Sequence, residues 1–107
     1  HNFQPSASKF AGETCYGVQV HITDLSQFKP IEVWLTVIQM IHDLYPTQFR
    51  WLPPIGDRGL YHFDRLIGSD EVRKRIDENQ PLADLFPIWE RACGAFSETR
   101  QQYLIYT

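Results

Sequence analysis

The sequence has few of the residues and runs that mark disulfide scaffolds, zinc sites and membrane spans. Its 107 residues include two cysteines, Cys15 and Cys93, without the CxxC spacing of a zinc site. We interpret them as two buried free thiols, with one disulfide as the alternative. The four histidines lack HExxH spacing, and no apolar stretch reaches the roughly 18 residues that a membrane-spanning helix needs. These absences predict no metal, no cofactor and no membrane span.

Excess positive charge is also lacking. Thirteen acidic and ten basic residues give a formal net charge of −3, and the basic residues are scattered apart from the run 73–75. A nucleic-acid-binding protein needs a basic face, so the composition argues against a nucleic-acid partner. We interpret the run 73–75 as the solvated side of a helix.

The chain shows no internal repeat, low-complexity tract or Gly/Ser linker, which predicts a single domain over residues 1–107. Hydrophobic residues make up 43% of it, enough for a folded core. Area scaling predicts a folded surface of roughly 6,200 Å². Because the chain starts at His1 without a Met, we expect it to be processed or excised from something longer. No charged-then-apolar leader is visible in it.

The clearest strand pattern lies at 17–23. Its apolar residues alternate strictly with polar ones, the period-two pattern of a strand with one buried face; the apolar set is Val18, Val20 and Ile22, and the polar set is Gln19, His21 and Thr23. Weaker patterns predict an edge strand or arm at 3–8, a short strand at 48–51 and a closing strand at 103–106.

The strongest helix pattern covers 31–45, between Pro30 in the first turn and Pro46 after the last. Its polar residues form one narrow stripe, and its apolar arc is much wider than the roughly 100° that a helix on one sheet face needs. We therefore expect this helix to be sandwiched, within this domain or against a missing partner. The stripe consists of Glu32, Thr36, Gln39 and Asp43.

Further patterns predict a helical turn at 63–67 that ends at Gly68, a helix capped by Ser69, and a last helix at 82–100 with a kink or restart at Pro87. Together these elements predict an α+β or α/β fold with about three helices on a small mixed sheet. The 18–22 strand would be central, and Trp34 and Trp89 would lie in the core.

Three segments together resemble the C-terminal domain of the bacterial exo-β-N-acetylmuramidases, a family formerly known as a domain of unknown function. The most specific is 10–24, FAGETCYGVQVHITD, with its Gly-Glu-x-Cys-x-Gly-Val run that enters a strand and ends in Thr-Asp. The others are 63–69, FDRLIGS, and Trp89 followed by Phe96 and 103–106, YLIY. They stand in the family's order and span nearly the whole chain.

The resemblance implies that the chain is the smaller C-terminal part of a two-part protein whose larger N-terminal part is Rossmann-like. In that family the enzyme removes N-acetylmuramic acid from the non-reducing end of peptidoglycan fragments, with its catalytic carboxylates in the N-terminal part. The resemblance therefore implies an inactive fragment, a periplasmic or secreted location, and two partners: the N-terminal domain and a muropeptide or amino-sugar ligand.

The residues themselves offer no convincing catalytic set. A glycosidase needs two carboxyl groups roughly 5–10 Å apart, and the acids beside unusual backbone, Glu13, Asp24 and Asp64, are simply explained as a loop acid, a turn residue and a helix cap. A Cys15–His21 dyad would have to bridge about 20 Å along an extended chain. Packing is the better account of Cys15.

The candidates for a substrate cleft are two aromatic residues in or next to the loops, Tyr16 and Tyr61, and the polar row of the 17–23 strand with the residue after it, Gln19, His21 and Asp24. We expect His21 to serve as a hydrogen-bonding residue, and Trp51 to lie in the core. Two functions remain open: a non-catalytic domain that completes the cleft of a cell-wall glycosidase, and a protein-interaction or scaffolding module with no sugar contact.

Overall fold

The computed structural model describes residues 1–54, 56 and 59–106. Over these residues the chain forms four α-helices, one 3₁₀ turn and one two-stranded antiparallel sheet, which confirms the predicted α+β class. In chain order the elements are β1 (Asn2–Phe3), β2 (Cys15–Tyr16), α1 (Pro30–Leu44), α2 (His62–Ile67), α3 (Glu71–Asp77), the 3₁₀ turn (Leu82–Asp84) and α4 (Phe86–Gln101).

Helix α1 lies where the sequence predicts it, because Pro30 needs no hydrogen-bond partner in a first turn and Pro46 cannot continue the helix. Only Leu35 is buried. Trp34 is 48% exposed, so its predicted place in the core is wrong. Val33, Val37 and Ile38 are half-buried, whereas the apolar residues of the outer side are exposed: Ile31, Trp34, Met40, Ile41 and Leu44.

Local signals set most of the remaining helix ends. Gly68 closes α2 in the left-handed conformation at φ 89°, and its N–H donates to the Asp64 carbonyl at 2.8 Å. The residue before α3 is Asp70, whose carboxylate pairs with Lys74 at 2.6 Å, so the predicted Ser69 cap is wrong. The predicted restart at Pro87 is confirmed, since the 3₁₀ turn ends at Asp84 and α4 begins at Phe86.

The core is small and lies between α1, α3 and the start of α4. Its fully packed members come from one position of α1, one face of α3 and the 3₁₀ turn with its following residue: Leu35, Val72, Ile76, Leu82 and Leu85. Trp51, Phe63 and Trp89 pack against this core, as predicted for the two tryptophans.

Three of the predicted strands are wrong. Residues 17–23, 48–51 and 103–106 are all irregular, and the sheet consists only of the pairs Asn2–Tyr16 and Phe3–Cys15. Alternation predicts a strand only where a neighbouring strand supplies hydrogen bonds. In the described part of the chain, no strand pairs with the residues that follow Gly17. In 48–51 the rings of Phe49 and Trp51 pack edge to face at 4.9 Å instead.

The chain leaves more surface exposed than its mass predicts. Its accessible area is 9049 Å², about one and a half times the value expected from scaling. Its radius of gyration is 17.7 Å, against about 13 Å for a typical domain of this length. Many large hydrophobic side chains lie on this surface, among them Trp34, Leu44 and Phe96.

Both cysteines are free, but Cys15 is half-buried and Cys93 exposed, so the predicted burial is wrong. None of the described helices is long and apolar enough to cross a membrane. Over the same residues, no group of three or more His, Cys, Asp or Glu side chains is placed to hold a metal ion.

Candidate functional site

A surface depression of about 370 Å³ lies between α2, α3 and the loop that enters α2. Four of its lining residues, Tyr61, Asp64, Arg65 and Gly68, follow the spacing of one helix face. The link between the two helices adds Ser69 and Asp70, and α3 contributes Arg73. The depression therefore depends on the sharp turn at Gly68, which brings two short helices side by side.

Two of the lining residues, Asp64 and Arg73, form an ion pair. Arg73 Nε donates to both carboxylate oxygens at 2.8 and 3.0 Å, and Nη2 donates to Oδ2 at 2.9 Å. Asp64 is only 7% exposed. The hydrogen bond with Asp64 raises the pKa of Arg73 above its already high ordinary value, so the guanidinium stays charged.

Arg73 also fixes the aromatic wall of the depression. Its Cζ atom lies 4.2 Å from the centre of the Tyr61 ring, a cation–π contact. Its Nη1 atom lies 3.6 Å from Asp77 Oδ2, and Asp77 Oδ1 accepts a 2.7 Å hydrogen bond from the indole of Trp51. The network ties Tyr61 to the core through charged and aromatic contacts.

The lining of the depression offers groups that can bind a ligand. The lining combines Tyr61, which is held by Arg73, with Arg65 and Ser69, so an aromatic ring lies beside residues whose side chains can form hydrogen bonds. Asp64 is poorly suited to act as an acid or nucleophile, because both its oxygens already accept from Arg73.

Of the five cleft candidates from the sequence, only Tyr61 lines this depression. Tyr16 ends β2 and is exposed, and Gln19 and His21 are exposed in the irregular segment after it. Asp24 is also exposed, in a turn where its Oδ1 accepts from the Ser26 N–H at 2.8 Å and hydroxyl at 2.7 Å. The hydroxyl bond is the main cause of a lowered pKa of Asp24.

The other groups considered from the sequence lie apart. Glu13 is exposed, and its N–H donates to the Phe10 carbonyl at 3.0 Å in a turn. The Cys15 thiol contacts the Glu13 carbonyl at 3.8 Å, and no hydrogen bond to His21 appears among the described residues. Asp64 is not a helix cap, because its carboxylate is the buried partner of Arg73.

Sequence reasoning missed the Asp64–Arg73 pair. Arg73 was assigned to a solvated helix side, yet it follows Val72 directly, at the border of the buried face formed with Ile76. A charged residue next to a buried helix edge, close in sequence to an acid on the preceding helix, is the signal that indicates such a pair.

Comparisons with known proteins show the family of this chain. The chain belongs to the family described as "Exo-beta-N-acetylmuramidase NamZ, C-terminal", whose model matches residues 1–106. It is similar to the peptidoglycan beta-N-acetylmuramidase NamZ of Bacillus subtilis (strain 168), with 36% identity over 105 residues. The match covers 98% of this chain and 24% of that relative, so the chain spans about a quarter of the relative's length. No solved structure matches it.

Proposed function

We propose that this chain is the non-catalytic C-terminal domain of a peptidoglycan-processing glycosidase, and that it completes the substrate cleft by packing against an N-terminal domain of the same protein. The observation that carries the proposal is its membership of a C-terminal family over residues 1–106, together with its span of about a quarter of a muramidase relative. Because peptidoglycan lies outside the cytoplasmic membrane, the proposal includes a periplasmic or secreted location.

The placement of the carboxylates supports a non-catalytic role. Glycosidases act with two carboxyl groups that flank one bond, one of them free to donate a proton. Here the acids that the sequence singled out have other roles: Glu13 lies in an exposed turn, Asp24 is held by Ser26, and Asp64 is held by Arg73. We therefore assign the proton transfers to the N-terminal domain.

The outer face of α1 supports docking against another domain. Ile31, Trp34, Ile41 and Leu44 are 44–69% exposed, and their spacing places them on one side of the helix. A stable interface takes roughly 800 Å² from each partner. The surface that this chain exposes beyond the expected area is several times that amount. An apolar face of this kind indicates a protein partner.

The depression at Tyr61 supports contact with the ligand. Its ring is held by Arg73, so an approaching sugar would meet an ordered aromatic wall with little loss of side-chain entropy. The exposed side chains of Tyr16, Gln19, His21 and Asp24 remain proposed cleft contacts. The ligand we propose is an N-acetylmuramyl glycoside at the non-reducing end of a muropeptide.

Steady-state kinetics of the full-length protein on a chromogenic N-acetylmuramyl glycoside test this proposal. Tyr61→Ala should raise KM and lower kcat/KM about tenfold or more, because the aromatic wall is lost. Tyr61→Phe is the matched control, since it keeps the ring on Arg73 and removes only the hydroxyl. The substitutions His21→Ala and Asp24→Ala should lower kcat/KM without changing thermal stability by more than about 1 kcal/mol.

The alternative module, which contacts no sugar, has a different signature. If the variants Tyr61→Ala, His21→Ala and Asp24→Ala all keep the wild-type kcat/KM, the domain acts only as an interaction or scaffolding unit. The cleft proposal would then be abandoned, and the docking role of α1 would remain.

A further inference from the structure

The segment 18–23 has the pattern of a strand but no strand partner. Val18, Val20 and Ile22 are 73%, 39% and 46% exposed, although burial of each of these apolar side chains would be favourable. Among the described residues, no hydrogen bond is recorded to the N–H or carbonyl groups of 18–23. Unpaired backbone next to an uncovered apolar row is typical of a strand whose neighbour lies elsewhere.

The existing sheet shows where that neighbour must come from. Asn2 pairs with Tyr16 and Phe3 with Cys15, so each pair of residue numbers adds up to 18. The ladder continues one step further, because His1 and Gly17 exchange both backbone hydrogen bonds at 2.9 Å. In the same antiparallel register, Val18 faces the residue directly before His1, and each later residue faces the next residue upstream.

We propose that, in the full-length protein, residues 18–23 form a β-strand paired with the polypeptide that immediately precedes His1. The inference rests on the proposed function, since it requires an N-terminal part that continues into His1. The short β1–β2 ladder is then the closing end of a longer hairpin, which joins this domain to the chain before it.

The register fixes which groups pair. In an antiparallel ladder, residues that exchange both hydrogen bonds alternate with residues that exchange none. His1 and Gly17 are a bonded pair, so Gln19 bonds the second residue before His1 and His21 bonds the fourth. Val18 and the residue directly before His1 form a non-bonded pair, whose Cα atoms lie only about 4.5 Å apart.

The same strand separates the two kinds of side chain. Alternate residues point to opposite faces, so Val18, Val20 and Ile22 share one face, while Gln19, His21 and Thr23 share the other. The apolar face can pack against the N-terminal domain. The polar face stays open, in the position that the cleft proposal needs for His21.

Disulfide formation in the full-length protein tests the proposed register between residues 18–23 and the segment before His1. After Cys15→Ser and Cys93→Ser, a cysteine at the residue before His1 is combined with Val18→Cys or, as the matched control, with Gln19→Cys. A non-bonded antiparallel pair has the Cα separation of a disulfide. We expect the Val18→Cys pair to oxidise at least tenfold faster than the control. Equal rates in the two variants, or no disulfide in either, would overturn the proposal.

Hydrogen exchange in the unmodified full-length protein gives a second reading that needs no substitution. The amides of Gln19 and His21 should exchange at least tenfold more slowly than an unprotected amide, because both donate into the ladder. Rapid exchange at both would overturn the proposal. So would protection without the Val18→Cys disulfide, because the neighbour would then be another segment, such as 103–106 or a second copy.

The kinetic test and the disulfide test distinguish failure of the cleft proposal from failure of the strand pairing. If the disulfide does not form while Tyr61→Ala lowers kcat/KM, the strand pairing is wrong and the cleft proposal stands. If the disulfide forms while Tyr61→Ala has wild-type kinetics, the two parts are joined as proposed, but the depression has no role in substrate binding.

Discussion

The Asp64–Arg73 ion pair should be one of the largest single contributors to stability outside the apolar core. Asp64 is 7% exposed and the Arg73 side chain 14%, so solvent screens their interaction weakly. Removal of one partner from a buried pair costs about 3–5 kcal/mol. Because some water reaches Arg73, and because Asp77 at 3.6 Å still neutralises it, we expect Asp64→Ala to cost about 3 kcal/mol, at the low end of this range.

Arg73→Ala should cost a similar amount, because it leaves the Asp64 carboxylate buried without a donor and also removes the contact with Tyr61. The double substitution should cost clearly less than the sum of the two single ones. Coupled charged hydrogen bonds of this kind give interaction energies of about 1.5–3 kcal/mol in a double-mutant cycle.

Urea denaturation of the four proteins of this cycle, followed by tryptophan fluorescence, measures these free energies of unfolding. Trp51 is a suitable reporter, because its indole donates to Asp77 beside the pair. Single substitutions that each cost less than about 0.5 kcal/mol, or that simply add, would refute the assignment of this pair as a buried and coupled link between α2 and α3.

Three further predictions concern Trp34 with Trp89, the glycine Gly68, and the pKa of Asp24. Trp34→Ala should lower the free energy of unfolding of this domain alone by less than about 1.5 kcal/mol, and Trp89→Ala by about 3 kcal/mol. Only Trp89 packs against the core, and thermal melts of the two variants would show the difference. Gly68→Ala should cost about 1–2 kcal/mol from its left-handed backbone, since no atom lies within 4 Å of an added Cβ, and a shift in the urea midpoint measures it. Ser26→Ala should raise the pKa of Asp24 towards 3.8, as NMR titration would show; the folded pKa of Asp24 is depressed, so the stabilisation linked to it is present above pH about 3.8 and is lost as the pH falls.

The helices could be predicted from the sequence because their signals are local. Pro30, Gly68 and Pro87 each set a helix boundary through their own backbone preferences, and the structure has helices that begin or end beside all three. The boundary at Ser69 was missed by one residue. There Asp70 is the residue before α3, and its carboxylate forms an ion pair with Lys74. The start of this helix therefore depends on a side chain one turn later.

The strands could not be predicted in the same way, because a strand exists only with a partner. The alternation at 17–23 describes what the segment can bury, but the described residues include no neighbour to pair with it. The exposed row of Val18, Val20 and Ile22 shows the consequence. The pattern is therefore informative about an interface, although it is wrong about the fold of this chain alone.

The candidate site was predictable only in part. Tyr61 stood out as an aromatic residue beside a loop, and it does line the depression. The role of Arg73 depends on the turn at Gly68, which places α3 against α2 and turns one residue of a basic run towards Asp64. Such a pairing across a turn depends on tertiary geometry, which residue spacing alone does not specify.

The role of this domain in the cleft can be measured by comparing kcat/KM on a chromogenic N-acetylmuramyl glycoside between the full-length protein and the same protein without residues 1–107. If this domain completes the cleft, the truncated protein, shown to be folded by circular dichroism, should lose at least about a hundredfold in kcat/KM, because part of the cleft is absent. A folded truncated protein with the full-length value would contradict the claim that this domain completes the cleft.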